Sequence, residues 1–236
     1  MAVSAAGSNA GEQIATRLAD ISQRVRSTSA RAGRSRAAVT VVAVSKGFSA
    51  GDVLAARSAG QVDFGESRTS ELLIKAEAVG PGVRWHFVGQ LQRNKVPDVV
   101  DRVTLVHSVD RLDLAEALGR RALDAGRVQR VLVQVHLGPP EVSRGGCSLA
   151  DAPQLVARIR DVEGVACEGL MTVPPRDADP RTCFATLRAL RDELRGRFPE
   201  VQHLSMGMSN DFEVAIEEGA TIVRVGTAVF GARPSA

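Results

Sequence analysis

Strand-like and helix-like segments alternate along most of the chain, and this alternation constrains the fold more than any other feature of the sequence. Such alternation is typical of parallel sheets, because a helix carries the chain back between two parallel strands. We predict eight strands, at Val39–Val44, Gln61–Phe64, Arg84–Val88, Leu105–Ser108, Arg130–Leu137, Ala166–Met171, His203–Ser205 and Thr221–Val225. Helices are predicted to start near Ala50, Ser67, Gln92, Arg111, Leu149, Pro180 and Ser209. The pattern predicts an α/β fold, a single (β/α)8 TIM-type barrel, with an open doubly wound sheet as the alternative.

The predicted barrel accounts for nearly the whole chain. A length of 236 residues with 44% hydrophobic content suits one barrel domain, and no linker rich in Pro, Gly or Ser divides the sequence. Residues 12–236 are therefore predicted to form one domain. Ile14, Leu18, Ile21 and Val25 recur at helical spacing, which predicts an extra N-terminal helix. Residues 1–11 are small and polar, and we predict that they are disordered.

Lys46 follows the first predicted strand, in which Val39 to Val44 are almost all β-branched or apolar. A run of this kind is typical of a parallel strand that is buried on both faces. Barrels carry their functional residues at the C-terminal ends of the strands. An apolar surrounding there disfavours the charged form of an amine, which can then attack a carbonyl group and form a Schiff base. The alternative is a solvent-exposed lysine at a strand end.

Gly226 and Thr227 follow the eighth predicted strand, in the region where barrels often bind phosphate. Closure of the barrel would make the first and eighth strands neighbours and bring this segment close to Lys46. Ser209 follows the seventh strand, where it is predicted to cap the next helix while nearby amides face the same phosphate. A tight turn at Gly226 and a simple helix cap at Ser209 are the alternatives.

Arg224 lies at the end of the eighth strand, and a permanently charged guanidinium at that position needs an acceptor. A heteroaromatic nitrogen or a ligand carboxylate would serve, and an ion pair with Glu66 is the alternative. His86 lies on the third strand, where alternation leaves both the inward and the outward orientation open. A lone histidine is more often a packed, hydrogen-bonded residue than a catalytic one.

Composition argues against several other classes of function. The formal charge of +3 is mild, and seven Phe, one Trp and no Tyr provide no basic and aromatic sequence for stacking nucleic acid bases. Cys147, Cys167 and Cys183 have the spacing of neither a disulfide framework nor a zinc site. There is neither a secretory signal pattern nor a run of eighteen apolar residues. We therefore expect a cytoplasmic protein with reduced thiols, no nucleic acid partner and no membrane partner.

Several segments, in order from Val41 to Arg233, together resemble the pyridoxal phosphate homeostasis protein family. They are Ala43-Val-Ser-Lys46, Phe64-Gly-Glu-Ser67, Trp85-His-Phe-Val-Gly-Gln-Leu-Gln-Arg-Asn-Lys95, His107-Ser-Val-Asp110, Gly169-Leu-Met171, Leu204-Ser-Met-Gly-Met-Ser-Asn-Asp-Phe-Glu213 and Val223-Arg-Val-Gly-Thr-Ala-Val-Phe-Gly-Ala-Arg233. Two positions depart from the family. Ser67 stands where asparagine is usual, and Arg144 stands where lysine is common.

The resemblance implies a barrel of the alanine racemase type that holds pyridoxal 5'-phosphate (PLP) as a Schiff base on Lys46. It assigns the phosphate to Ser209, Gly226 and Thr227, and the pyridine nitrogen to Arg224. Ser205, Met206 and His86, which lie in the same matched segments, are also predicted to bind the cofactor. No residue is predicted to be catalytic and no metal is expected.

The function implied by the resemblance is intracellular PLP (vitamin B6) homeostasis by a carrier that is not an enzyme. An arginine at the pyridine nitrogen weakens the ring as an electron sink, and the chain has no tyrosine to act as the second base of a racemase. PLP is the expected ligand, PLP-requiring apoenzymes are further expected partners, and the protein is expected to be a monomer. One alternative is a single-domain amino-acid racemase with a base such as His86. The other is a sugar-phosphate lyase that uses Lys46 without PLP.

Overall fold

A closed barrel of parallel strands is the centre of the structure, a computed structural model that describes residues 3–138 and 145–233. Nine strands occur in this part of the chain: β1 (Thr40–Val44), β2 (Asp63–Glu66), β3 (Arg84–Phe87), β4 (Val103–Val109), β5 (Gln129–His136), β6 (Cys147–Ser148), β7 (Val165–Met171), β8 (His203–Ser205) and β9 (Ile222–Val225). Eight of them form the barrel, and β6 pairs with β5 alone. The pairings of β4 with β5 and of β1 with β9 close the barrel and exclude the open-sheet alternative.

Helices surround the barrel and follow its strands. They are α1 (Val3–Arg31), α2 (Ala50–Ser58), α3 (Thr69–Val79), α4 (Val96–Val100), α5 (Leu112–Asp124), α6 (Ala152–Arg160), α7 (Pro180–Arg195), α8 (Phe212–Glu217) and α9 (Thr227–Phe230), with 3-10 turns at Arg36–Ala38 and Arg93–Lys95. The eight predicted barrel strands and the N-terminal helix are therefore confirmed. None of the helices in the described ranges is long and apolar enough to cross a membrane.

The N-terminal helix α1 packs on the barrel through the apolar positions that predicted it. Ile14, Ile21 and Val25 are buried in the main core. Arg24 ties the helix to α8 through an ion pair with Glu213, at 2.9 Å between Nη2 and Oε2. Helix α1 begins at Val3, residues 1 and 2 lie outside the described residues, and the disorder expected for residues 1–11 stays a prediction. The same is true of the domain boundaries at 12 and 236.

Several elements begin later than predicted, among them α4 at Val96 rather than near Gln92 and α6 at Ala152 rather than near Leu149. Local side-chain contacts accompany two further differences. The second strand begins at Asp63 rather than Gln61, because the Gln61 amide donates to the Val41 and Asp63 carbonyl oxygens and closes the turn before the strand. Helix α8 begins at Phe212 rather than near Ser209, and the backbone N–H of Met208 donates to the Asp211 side chain in the turn before it. The loop after β8 is therefore longer than predicted, and Ser209 lies within it.

The barrel interior contains an apolar layer and a polar layer. Val42, Leu105, Leu132, Met171 and Ile222 form a separate buried cluster, with Val173 packed against it. The polar side chains of His86, His107, Ser205 and Arg224 are also buried. Buried polar groups are costly unless they are hydrogen-bonded, so this second layer indicates a specific network.

Candidate functional site

A cavity of about 540 Å³ lies at the C-terminal ends of the barrel strands. It is lined by residues at or after the ends of β1, β3, β7, β8 and β9: Val44, Phe48, Val88, Val173, Pro174, Pro175, Arg176, Ala178, Pro180, Met208, Ser209, Asn210, Asp211, Arg224, Gly226, Thr227 and Arg233. The pairing of β1 with β9 brings the segments that follow the first and the last barrel strands together at this position. The cavity therefore lies where barrels usually bind their ligands.

Four of the predicted site residues, Arg224, Ser209, Gly226 and Thr227, line this cavity together. Lys46 is half-buried in the turn after β1. It is not itself a lining residue, although Val44 and Phe48 on either side of it are. No described residue forms a hydrogen bond or an ion pair with the Lys46 amine. The three other candidates, Ser205, Met206 and His86, are buried and do not line the cavity, and Met206 belongs to the main hydrophobic core.

Ser209 joins the two loops that form one wall of the cavity. Its Oγ accepts hydrogen bonds from the backbone N–H groups of Gly226 and Ala228, both at 3.2 Å. The prediction that Ser209 caps the following helix is wrong, because its hydroxyl oxygen is bound to the segment after β9.

Among the residues of these two loops that line the cavity, three backbone N–H groups remain free to donate. Those of Ser209, Asn210 and Thr227 make no hydrogen bond to any residue in the described part of the chain. The Ser209 hydroxyl is also free to donate its own hydrogen, because both of its contacts reach it as an acceptor. Donors of this kind, lying together, suit the oxygens of an anionic group.

Arg224 brings a buried positive charge to the cavity. Its Nη1 donates to Ser205 Oγ at 2.6 Å, and its Nη2 donates to the Thr172 carbonyl oxygen at 2.9 Å. Burial lowers the pKa of the guanidinium to about 10, while the Asp211 carboxylate acts in the opposite direction. The alternative ion pair with Glu66 is excluded, because Glu66 Oε1 contacts Lys75 Nζ at 2.6 Å instead.

The Arg224 contact continues as a chain of hydrogen bonds through the barrel interior. His107 Nδ1 lies 2.8 Å from Ser205 Oγ, and His107 Nε2 lies 3.0 Å from His86 Nδ1. His86 Nε2 in turn lies 3.1 Å from Asp63 Oδ1. These contacts connect Arg224 with Asp63, which begins β2.

When both imidazole rings are neutral, the two ends of this chain of hydrogen bonds fix its direction. The Asp63 carboxylate only accepts, so His86 donates from Nε2 and accepts at Nδ1 from His107 Nε2. His107 then accepts at Nδ1 from the Ser205 hydroxyl, which itself accepts from Arg224. Each hydrogen points away from the cavity, and the order is Arg224, Ser205, His107, His86, Asp63.

The protonation of two members agrees with this direction. Burial, the neighbouring His86 and the Arg224 charge hold the pKa of His107 well below its usual value, so its ring is neutral. Burial opposes ionisation of Asp63, but hydrogen bonds from His86 and Arg84 lower the pKa of its carboxyl to about 2. The chain of hydrogen bonds therefore ends at an ionised carboxylate, that of Asp63, across the physiological pH range.

The sequence alone did not identify three members of this network as site residues. His107 lies in a family-like segment without a predicted role, and Asp63 and Thr172 are not among the predicted site residues. The alternation of side chains along β4 is the sequence signal that could have identified His107 as a residue facing the same side of the sheet as His86. Paired register places Leu105 of β4 beside His86 of β3, and His107 lies two positions further along.

The two departures from the family pattern lie differently in the structure. The Ser67 hydroxyl is buried and has no hydrogen-bond partner among the described residues. Arg144 lies outside the described residues. A second cavity, of about 690 Å³, is lined in part by His136, Gly145 and Cys183 and contains none of the predicted site residues. Within residues 3–138 and 145–233, no group of three or more His, Cys, Asp or Glu side chains could hold a metal ion.

Comparison with known proteins agrees with this geometry. The family model described as the alanine racemase N-terminal domain matches residues 16–234. A pyridoxal phosphate homeostasis protein of Aquifex aeolicus is 40% identical over 222 residues, and the match covers 92% of this chain and 97% of that protein. The structure of PipY from Synechococcus elongatus with PLP bound is 35% identical in sequence, with a TM-score of 0.81. The match covers 92% of this chain and 100% of the PipY chain.

Alanine racemase from Corynebacterium glutamicum is similar in fold alone. The two chains are 16% identical with a TM-score of 0.71, and the likeness covers 96% of this chain but only 63% of the racemase. The shared part is the barrel.

Proposed function

The chain belongs to the pyridoxal phosphate homeostasis protein family, which has the barrel of the alanine racemase N-terminal domain, and from this membership we propose that it binds PLP and acts in PLP homeostasis. The observation that carries the proposal is the meeting of Arg224, Ser209, Gly226 and Thr227 around one cavity beside the turn that holds Lys46. PLP carries an anionic phosphate, a ring nitrogen and an aldehyde, and each needs a different kind of protein group.

The residues of the cavity suit two of these three groups. The free N–H groups of Ser209, Asn210 and Thr227 and the free Ser209 hydroxyl would donate to the phosphate oxygens. Arg224 is held on two sides by Ser205 and Thr172, and its remaining N–H groups would donate to the ring nitrogen. A buried guanidinium without a carboxylate partner is costly to keep, which supports a ligand acceptor at this position.

Lys46 is the amine that suits the aldehyde. The chain has three lysines, at 46, 75 and 95. Lys75 is buried and bound to two carboxylates, and Lys95 is exposed in the turn before α4. Only Lys46 is half-buried beside the cavity without a partner in the described part of the chain. Condensation of its neutral amine with the aldehyde would form one carbon–nitrogen double bond and release one water, so no further reactant is needed.

We propose a carrier rather than an enzyme. Arg224 keeps its charge at neutral pH even with a pKa of about 10, so it donates to the ring nitrogen and leaves that nitrogen unprotonated. The ring is then a weak electron sink. His86, the base named for the racemase alternative, is bound on both ring nitrogens by Asp63 and His107 and does not line the cavity.

The remaining expectations belong to the same proposal. A carrier of this kind would act in the cytoplasm as a monomer and would supply PLP to apoenzymes that require it. The relatives of this chain are named for homeostasis, which supports this role.

The test is reduction of the PLP-incubated protein with borohydride, followed by mass analysis of the tryptic peptides. We expect a phosphopyridoxyl group on Lys46, and loss of that label together with the visible absorption band in Lys46→Ala. Lys95→Ala is the matched control and should retain both. A label that is unchanged in Lys46→Ala would contradict the assignment. A protein labelled only in the presence of a sugar phosphate would favour the lyase alternative.

A further inference from the structure

A buried ion cluster lies behind the turn that carries Lys46. Lys75 on α3 is 4% exposed, and Glu66 at the end of β2 is fully buried. Lys75 Nζ lies 2.6 Å from Glu66 Oε1 and 3.0 Å from Glu71 Oε2. One ammonium group thus joins two carboxylates from two different elements of the fold.

The same three side chains hold the backbone on both sides of Lys46. Lys75 Nζ donates to the Ser45 carbonyl oxygen at 2.7 Å, and the Ser45 hydroxyl donates to Glu66 Oε1 at 2.6 Å. On the other side, the Gly47 N–H donates to Glu71 Oε2 at 2.8 Å. The residues directly before and after Lys46 are therefore attached to one network.

The turn itself has a conformation that needs such support. Gly47 has a φ of 78°, in the left-handed region that residues with a side chain rarely adopt. A glycine there also has more freedom in the absence of contacts. The Glu71 carboxylate is the group that fixes its N–H. Burial raises the pKa of Glu71, but the Gly47 N–H, Lys75 and Arg68 together lower it below its usual value.

The contacts also assign different tasks to the two lysines. The Lys75 ammonium has three hydrogens, and its three acceptors are Ser45, Glu66 and Glu71. All of its donors are occupied, and its nitrogen is closed to a carbonyl ligand. The Lys46 amine, in contrast, has no partner among the described residues.

We propose that Lys75, Glu66 and Glu71 are positioning residues that fix the Ser45–Gly47 turn and thereby direct the Lys46 amine to the ligand aldehyde. The inference rests on the proposed function of Lys46. Its physical basis is that condensation requires the nitrogen to lie close to the carbonyl carbon along one direction, so small displacements of the turn lower the rate. Binding of the phosphate and the ring, which other residues perform, does not require the turn.

The test separates covalent capture from non-covalent binding. Capture is measured as the second-order rate at which the visible absorption band grows on mixing with PLP. Non-covalent binding is measured with 4-deoxypyridoxine 5'-phosphate, which has no aldehyde. We expect Glu71→Ala to lower the capture rate at least tenfold while its affinity for the deoxy compound stays within twofold of wild type. Glu71→Gln should restore most of the rate, because an amide oxygen still accepts from the Gly47 N–H.

Arg68→Ala is the matched control. Arg68 pairs with the other oxygen of Glu71, at 3.2 Å, but its side chain is 66% exposed, and within the described part of the chain it forms no hydrogen bond or ion pair with the turn. We expect its capture rate to equal that of wild type. Lys75→Met should reproduce the effect of Glu71→Ala, and the Glu71 series decides the question if that buried substitution prevents folding.

Two results would overturn the inference. One is a wild-type capture rate in Glu71→Ala, and the other is an equal loss of capture and of deoxy-compound affinity. Failure of the proposed function gives a different result, because wild-type protein would then carry no reduced label on Lys46.

Discussion

Ser205→Ala is expected to be the most informative substitution in the hydrogen-bond network. Ser205 is fully buried, and its hydroxyl both accepts from Arg224 and donates to His107. Alanine removes the hydroxyl without adding volume, so the substitution introduces no steric clash. Two buried groups lose their partner, namely one Arg224 N–H and His107 Nδ1.

The expected cost follows from these two groups. A hydrogen bond to a charged group contributes about 1.5–3 kcal/mol, and an unsatisfied buried acceptor costs about 1–3 kcal/mol. We expect the free energy of unfolding to fall by about 3 kcal/mol. Arg224 would then be held only by the Thr172 carbonyl oxygen, and we expect roughly tenfold weaker PLP binding, which corresponds to about 1.4 kcal/mol.

Urea unfolding of the apoprotein, followed by the fluorescence of the single tryptophan, Trp85, measures the first quantity. A spectrophotometric PLP titration measures the second. Ser108→Ala is the matched control, because Ser108 is also a buried serine on a barrel strand but its hydroxyl donates to the Gly89 carbonyl oxygen, outside the network. It should cost about 1 kcal/mol of stability and leave PLP affinity unchanged. Equal stability losses in the two variants, with equal PLP affinity, would refute the reasoning.

Two further predictions concern the ends of the site. The pKa of Asp63 is lowered from 3.8 to about 2, so its ionisation stabilises the folded protein above pH 3.8, and this contribution is lost as the pH falls towards 2. Asp63→Asn should therefore lower the free energy of unfolding by about 2 kcal/mol at pH 7. Between pH 5 and pH 2 the variant should lose less stability than wild type, as measured by urea unfolding at each pH. Parallel plots of stability against pH for the two proteins would contradict this prediction. Ser209→Ala removes the acceptor shared by the Gly226 and Ala228 N–H groups. It should weaken PLP binding roughly tenfold but weaken the binding of pyridoxal, which has no phosphate, by less than twofold. Titration with each compound measures the two affinities. An equal loss for the two compounds would place Ser209 away from the phosphate.

The barrel could be predicted from the sequence because its signal is distributed over many residues. Val41 to Ala43 of β1 and Val131 to Val135 of β5 are buried runs, and the long strands β4 and β7 also carry buried apolar residues. Strand β6 was missed because two residues are too short for any periodic signal, and it exists only through its pairing with β5. Local composition therefore predicted the strands that contribute to the hydrophobic core. It did not predict β6, which forms only because it pairs with β5.

The site residues show the same distinction. The sequence could predict that these four residues line one cavity, because each lies at or after the end of a barrel strand: Arg224, Ser209, Gly226 and Thr227. The hydrogen-bond partner of each side chain could not be predicted from the sequence. A serine before a helix has the same local pattern whether it caps that helix or binds a loop 17 residues away. His86 was similarly ambiguous, since alternation allows either face of a strand, and only the paired register with β4 shows that it meets His107.

The direction of the network limits what Arg224 can do. With both imidazole rings neutral, every hydrogen of this network is already donated away from the cavity, and the last acceptor is the Asp63 carboxylate. To replace a proton that Arg224 gave to a ligand, Ser205, His107 and His86 would all have to reverse their donors, and Asp63 would have to supply the proton. The pKa of about 2 for Asp63 leaves it without a proton at neutral pH. With both imidazole rings neutral, the network can therefore hold the guanidinium as a fixed donor but cannot supply it with a proton.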